Sequence, residues 1–184
     1  MDSISDNALM LKVKQGDLDK LGLLYERHKG AIFGYLYHMN RDNMLAEDLL
    51  QTVFIRVMKY KHNFRGDGKF TTWLFHIARN VNADHHRKNK RASHVVALDQ
   101  IHLKVLQTES GVAEKEVELS QMERALELLD AEKREVLVMT KIKQMRYKEV
   151  CEVLDISEGA VKAKVFRAMQ ALKEKYAQLE STVS

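Results

Sequence analysis

A chain of 184 residues has room for one large or two small domains, and 45% hydrophobic residues suffice for packed cores. With 30% charged residues and no apolar run near the roughly 18 residues that cross a bilayer, composition excludes an integral membrane protein. A lone cysteine, Cys151, excludes an internal disulfide and suits a reducing compartment, and Met1–Asp6 shows no secretory pattern, so the chain is expected in the cytoplasm.

The net charge of +4 is unevenly spread. Residues 1–92 carry 16 Lys and Arg against 10 Asp and Glu, ending in the run Arg87-Lys88-Asn89-Lys90-Arg91. The absence of proline, and of Val, Ile or Thr alternating with polar residues, points to an all-α fold. Asp6 or Ser5 can cap a first helix through Leu9, Met10 and Val13 that ends at Gly16. Asp17 can cap a second, with Leu21, Leu24, Ile32, Leu36 and Met39 facing a core. A third runs from about Asn43 to Tyr60, with Leu45, Leu49, Val53 and Val57 at four-residue spacing. The loop Lys61–Gly68 carries two glycines, and a fourth helix follows from about Phe70 to Lys90.

Residues 92–113 hold no stable period and no caps, as expected of a flexible linker between two helical domains. Beyond it, Leu119, Met122, Leu126 and Leu129 form one apolar stripe, and Val136, Leu137, Met139 and Ile142 another. Tyr147–Leu154 reads as a short helix with Val150, Val153 and Leu154 inward. Asp155-Ile156-Ser157 then makes a tight turn, in which Ser157 can cap a helix from Glu158 to about Tyr176. Val161, Val165, Ala168 and Leu172 are its buried stripe, leaving Lys162, Lys164 and Arg167 at the edges. Two helices joined this way form a helix-turn-helix, whose second helix can enter the major groove.

The fourth helix opens with Phe70, Trp73 and Phe75 beside Lys69, His76, Arg79 and Asn80. Trp73 suits either a core or a base-stacking role. The neighbouring loop holds Phe64 and Arg65 between glycines that let the backbone approach a ligand. A polar loop against an aromatic and basic helix suits unstacked, single-stranded bases, with Asn63 and Asn80 able to hydrogen-bond them.

Three stretches now carry a family resemblance: Ala46-Glu47-Asp48-Leu49-Leu50-Gln51-Thr52-Val53-Phe54, Phe64-Arg65-Gly66-Asp67, and Phe70 through Asn80. They resemble the promoter-melting domain of bacterial sigma-70 family factors. With Tyr147-Lys148-Glu149-Val150 and Ile156 through Lys162, the whole is similar to the extracytoplasmic-function (ECF, group IV) sigma factors, which contain only the domains σ2 and σ4. The resemblance implies two small four-helix domains: σ2 over residues 5–91 and σ4, with the helix-turn-helix, over 114–178. It implies that Asp48 and Gln51, with Arg56 nearby, dock on the β′ clamp of core RNA polymerase, and that the β flap is a further contact. Asn63, Phe64, Arg65, Lys69 and Trp73 would capture a flipped base of the −10 element, with Asn80, His85, Arg87 and Lys88 along the melting duplex. Ser157, Lys162, Lys164 and Arg167 would read the −35 element. The same resemblance implies no enzymatic activity, no cofactor and no metal; an anti-sigma factor is an expected partner and membrane insertion is not. The chain departs from the family pattern at Thr52, where glutamate is common, at Asp155, where glycine is usual, and at Cys151, where alanine is usual.

Two other readings compete. A stand-alone helix-turn-helix regulator accounts for the C-terminal part but leaves Phe64–Asn80 unexplained. Asp84-His85-His86 matches the tripeptide of the DHH phosphoesterases. Consecutive histidines on a helix diverge by about 100°, however, and share one metal poorly.

Overall fold

A computed structural model describes residues 4–93 and 114–183, and every regular element among them is helical. Ser5 starts α1 (Asp6–Lys14) by accepting the amide of Ala8 at 3.3 Å. The second helix, α2 (Asp19–Asn40), differs from expectation at its start. Leu18, already helical in its own backbone angles, is the N-cap, and Asp17 instead pairs with Lys20. It ends at Arg41, a non-glycine residue held at φ 54°. Asp42 then caps α3 (Asn43–Lys59) through the amide of Leu45. A 3-10 turn, Lys61–Asn63, leads into the loop before α4 (Phe70–Ser93).

The four helices bury Leu9, Leu24, Ile32, Tyr35, Leu36, Val53, Phe70 and Leu74 almost completely. Each such side chain contributes about 1.5–3 kcal/mol by leaving water. Asn7 locks the loop to this core from α1: its amide nitrogen donates to the Gly68 carbonyl at 2.7 Å, and its oxygen accepts the Phe70 amide at 2.8 Å. Those bonds fix where the loop ends and where α4 begins.

Helix α4 extends through Ser93, and the expected linker otherwise lies outside the described residues. The C-terminal part holds α5 (Glu114–Glu127), α6 (Ala131–Leu137), a π-helical turn (Val138–Ile142), α7 (Tyr147–Leu154) and α8 (Glu158–Val183). Asp130 caps α6, as its residue type suggests. Met122 and Ile142 are exposed rather than inward, and Ala125 and Val138 fill the core instead. The π turn explains Ile142, because one wider turn rotates every later side chain off the 3.6-residue stripe. Asp155 adopts the left-handed conformation at φ 55° that ends α7, and Ser157 caps α8 by accepting the amide of Ala160. Val150, Val153, Val161, Val165 and Ala168 then close the helix-turn-helix core.

The two halves touch. Helix α7 lies against α4, and α6 with its π turn lies against α2. The Tyr35 hydroxyl, at the bottom of the N-terminal core, donates to Glu135 Oε1 of α6 at 2.9 Å. The same carboxylate accepts from Arg79 Nε at 3.1 Å. Lys143 lies on bare backbone, since a Cβ at Gly34 would stand 2.2 Å from its Nζ.

Candidate nucleic-acid and polymerase interface

The loop Lys61–Lys69 and the first turns of α4 enclose two adjoining hollows of about 420 and 410 Å³. Asn63, Trp73 and His76 line both. Asn80 and Arg56 line the first, and Arg65 and Lys69 the second. Each volume exceeds that of a single nucleobase. Trp73 is half-buried, one face packed on Phe64 at 5.3 Å between centroids and on Phe70 at 6.1 Å. It is therefore both core and wall, which unites the two roles its sequence context left open.

Phe64 departs from the sequence expectation. It is only 3% exposed, edge-on to Phe70, so its ring belongs to the core and supports Trp73 from behind. What the loop presents at this position is backbone: the Phe64 carbonyl accepts from Lys14 Nζ at 2.8 Å. Arg56 is also displaced from its expected place. Its guanidinium reaches across to Asp84 of α4 at 2.7 Å and lines the first hollow, away from Asp48 and Gln51. Eight residues beyond Asp48 and five beyond Gln51, it has turned off their face of the helix.

Farther along α4, Asn80 is exposed and its amide lies 3.2 Å from His76 Nδ1. Hydrogen bonds from Arg56 and Arg87 hold the Asp84 carboxyl below its ordinary value, so this aspartate is an anchor for two arginines. His85 pairs with Asn89 at 2.9 Å, and Lys88 is exposed. The Asp84-His85-His86 run thus builds a basic helix surface in which each member has its own neighbours.

On the opposite side of the N-terminal unit, Asp48 and Gln51 are exposed on α3. They share that side with Met44 and Ile55, 79% and 59% exposed, and with Met58. A mixed apolar and acidic helix face of this kind suits protein docking. The sequence reading missed the apolar members, although their exclusion from the Leu49–Val53–Val57 stripe was visible.

In the C-terminal unit, α8 presents Lys162, paired with Glu158 at 2.8 Å, and Lys164, paired with Glu132 of α6 at 2.8 Å. Arg167 and Lys164 line a third hollow of about 440 Å³ with Asp130–Lys133. Ser157 has its oxygen engaged in capping and so fixes where the helix starts. Between the basic residues stands Phe166, 64% exposed. Sequence reasoning passed over it, yet it lies four residues from Lys162 and outside the Val161–Val165–Ala168 stripe. An apolar ring on a groove-reading helix is suited to the methyl group of thymine.

Residues 24–92 match the sigma-70 region 2 family, and residues 119–172 match sigma-70 region 4. The ECF RNA polymerase sigma factor SigM of Bacillus subtilis is 32% identical over 154 residues, covering 83% of this chain and 93% of SigM. The chain belongs to the ECF RNA polymerase sigma factors. SigW of the same organism is 30% identical over 173 residues (89% and 92% covered), and the sigma-E factor of Escherichia coli K12 29% over 187 (95% of each). The structure of CnrH in complex with the cytosolic domain of CnrY superposes with a TM-score of 0.72 at 25% identity, over 97% of this chain and 99% of CnrH. ECF sigma factors are non-catalytic initiation factors that direct RNA polymerase to promoters. No helix among the described residues is long and apolar enough to cross a membrane.

Proposed function

We propose that the two units divide promoter recognition between them, with residues 5–91 acting as σ2 and 114–178 as σ4. The observation that carries this reading is the pair of hollows walled by Trp73 and edged by Asn63, Arg65, Lys69 and Asn80. They offer an aromatic face, amide groups and positive charge together, as a base leaving the duplex requires. Melting costs roughly 1.4 kcal/mol per base-pair step in lost stacking, and trapping an extruded base offsets part of it only in the open state. His85, Arg87 and Lys88 hold the backbone beside that site. Lys162, Lys164, Phe166 and Arg167 read the −35 element, placed by the cap at Ser157.

Asp48 and Gln51, with Met44 and Ile55, dock on the β′ clamp of core polymerase, and σ4 contacts the β flap. Arg56 acts with the melting surface. The chain itself performs no catalysis and works in the cytoplasm, where polymerase supplies the active site. The likeness to CnrH, seen with CnrY, supports an anti-sigma factor as regulator.

Run-off transcription from randomised promoter templates tests the reading. Specific transcripts should require both core polymerase and the chain, and the selected templates give the promoter. Tight sequence-specific binding by the chain alone, with no effect on core, would instead establish a conventional regulator.

A further inference from the structure

Building on the base-capture reading, we propose that the free chain masks its own −10 surface with carboxylates of α7, and that core polymerase opens it by parting the two units. Glu149 Oε1 accepts from Lys69 Nζ at 2.5 Å. Its other oxygen accepts the Arg146 amide at 2.8 Å as part of the cap of α7, so the carboxylate is aimed by the fold rather than by chance contact. One turn on, Glu152 lines the hollow shared by Arg65, Trp73 and His76, and a Cβ at Gly68 would stand 3.9 Å from its carboxylate. Two negative groups therefore occupy the place where the phosphates and bases of a melted strand would lie.

This arrangement cannot coexist with promoter binding. Elements centred near −10 and −35 lie about 25 base pairs apart, roughly 85 Å at 3.4 Å per pair. Helix α7 is joined to the reading helix α8 by a three-residue turn, so an α7 in contact with Lys69 holds α8 beside the capture loop. The contact surface is also built to part. Lys69 is 59% exposed in its side chain, and further ties between the units are polar: Glu135 with Tyr35 and Arg79, and Arg41 with Glu127. Exposed pairs of this kind each shift an equilibrium by no more than about fivefold. Phe166 meanwhile remains exposed, so masking falls on one promoter surface and spares the other.

The test uses the full chain. Zero-length carbodiimide coupling should join Lys69 to Glu149 in the free protein, read by mass spectrometry, and core polymerase should abolish that product. Glu149→Gln/Glu152→Gln keeps a residue able to complete the cap and should bind a labelled random 20-nucleotide single strand about three- to tenfold more tightly. A control that removes two charges elsewhere, Glu26→Gln/Glu174→Gln, should bind as the parent does. Adding Asn80→Ala to the unmasked variant should erase the gain. Unchanged affinity without the cross-link, or an equal gain in the control, overturns masking and leaves base capture standing if Asn80→Ala still slows promoter opening with core. A gain that survives both Asn80→Ala and Trp73→Ala overturns the base-capture reading itself.

Discussion

The N-terminal and C-terminal units meet DNA chemistry in opposite ways. In the first, the functional wall is continuous with the core: Trp73 rests on Phe64 and Phe70, and the loop hangs from Asn7. Its polar side chains already have partners, from His76 beside Asn80 to Glu149 on Lys69. In the second, a long helix lays Phe166 and Arg167 on its exposed side, with its core stripe facing away. A duplex can be read by a rigid exposed helix as it stands. A melted strand needs a concave site, and concavity requires several elements to agree.

The largest test of this contrast is Phe70→Ala. Removing a 1%-exposed ring that supports Trp73 should cost about 3–5 kcal/mol and lower the first melting transition, while hydrogen exchange in α8 changes little. Equal loosening of both units would show that they fold as one. Next in size, Arg167→Ala should reduce use of −35-dependent promoters about tenfold with core pull-down intact, and Phe166→Ala should relax selection at a thymine position. Loss of core binding instead would place α8 on the polymerase. Asn80→Ala should lower permanganate-detected opening several-fold more than closed-complex retention; equal losses would argue against capture. Ser157→Ala should cost about 1 kcal/mol, confined to α7 and α8.

The smallest expected effect is acid sensitivity at the junction. His38 is pushed down to about 4, by burial first and then by the nearby charges of Arg41 and Lys143. Unfolded, it takes up a proton near its ordinary 6.5, so its contribution is whole above 6.5 and is lost as pH falls towards 4. The melting temperature should therefore drop between pH 7 and pH 5, and His38→Gln should flatten part of that slope. An unchanged slope would place the titration elsewhere.

Much of this was legible beforehand where the chemistry is local. The caps at Ser5, Asp130 and Ser157, the left-handed turn at Asp155 and the stripe from Val161 to Ala168 each depend on neighbours within a few residues. Errors arose where side-chain direction depends on another helix. Arg56 was expected beside Asp48 but turns to Asp84 on α4, and Phe64 was expected at the ligand but fills the space behind Trp73. Ile142 was displaced by a π turn that leaves no mark in residue type.

Two helical units, the helix-turn-helix and the aromatic-basic block were fixed by sequence alone, because period, caps and residue chemistry act over one or two turns. Only the tertiary structure decided which face each polar residue takes and that Glu149 meets Lys69 from 80 residues away. Such pairings depend on how whole helices pack, and packing is set by the shape of the assembled core rather than by any short stretch of chain.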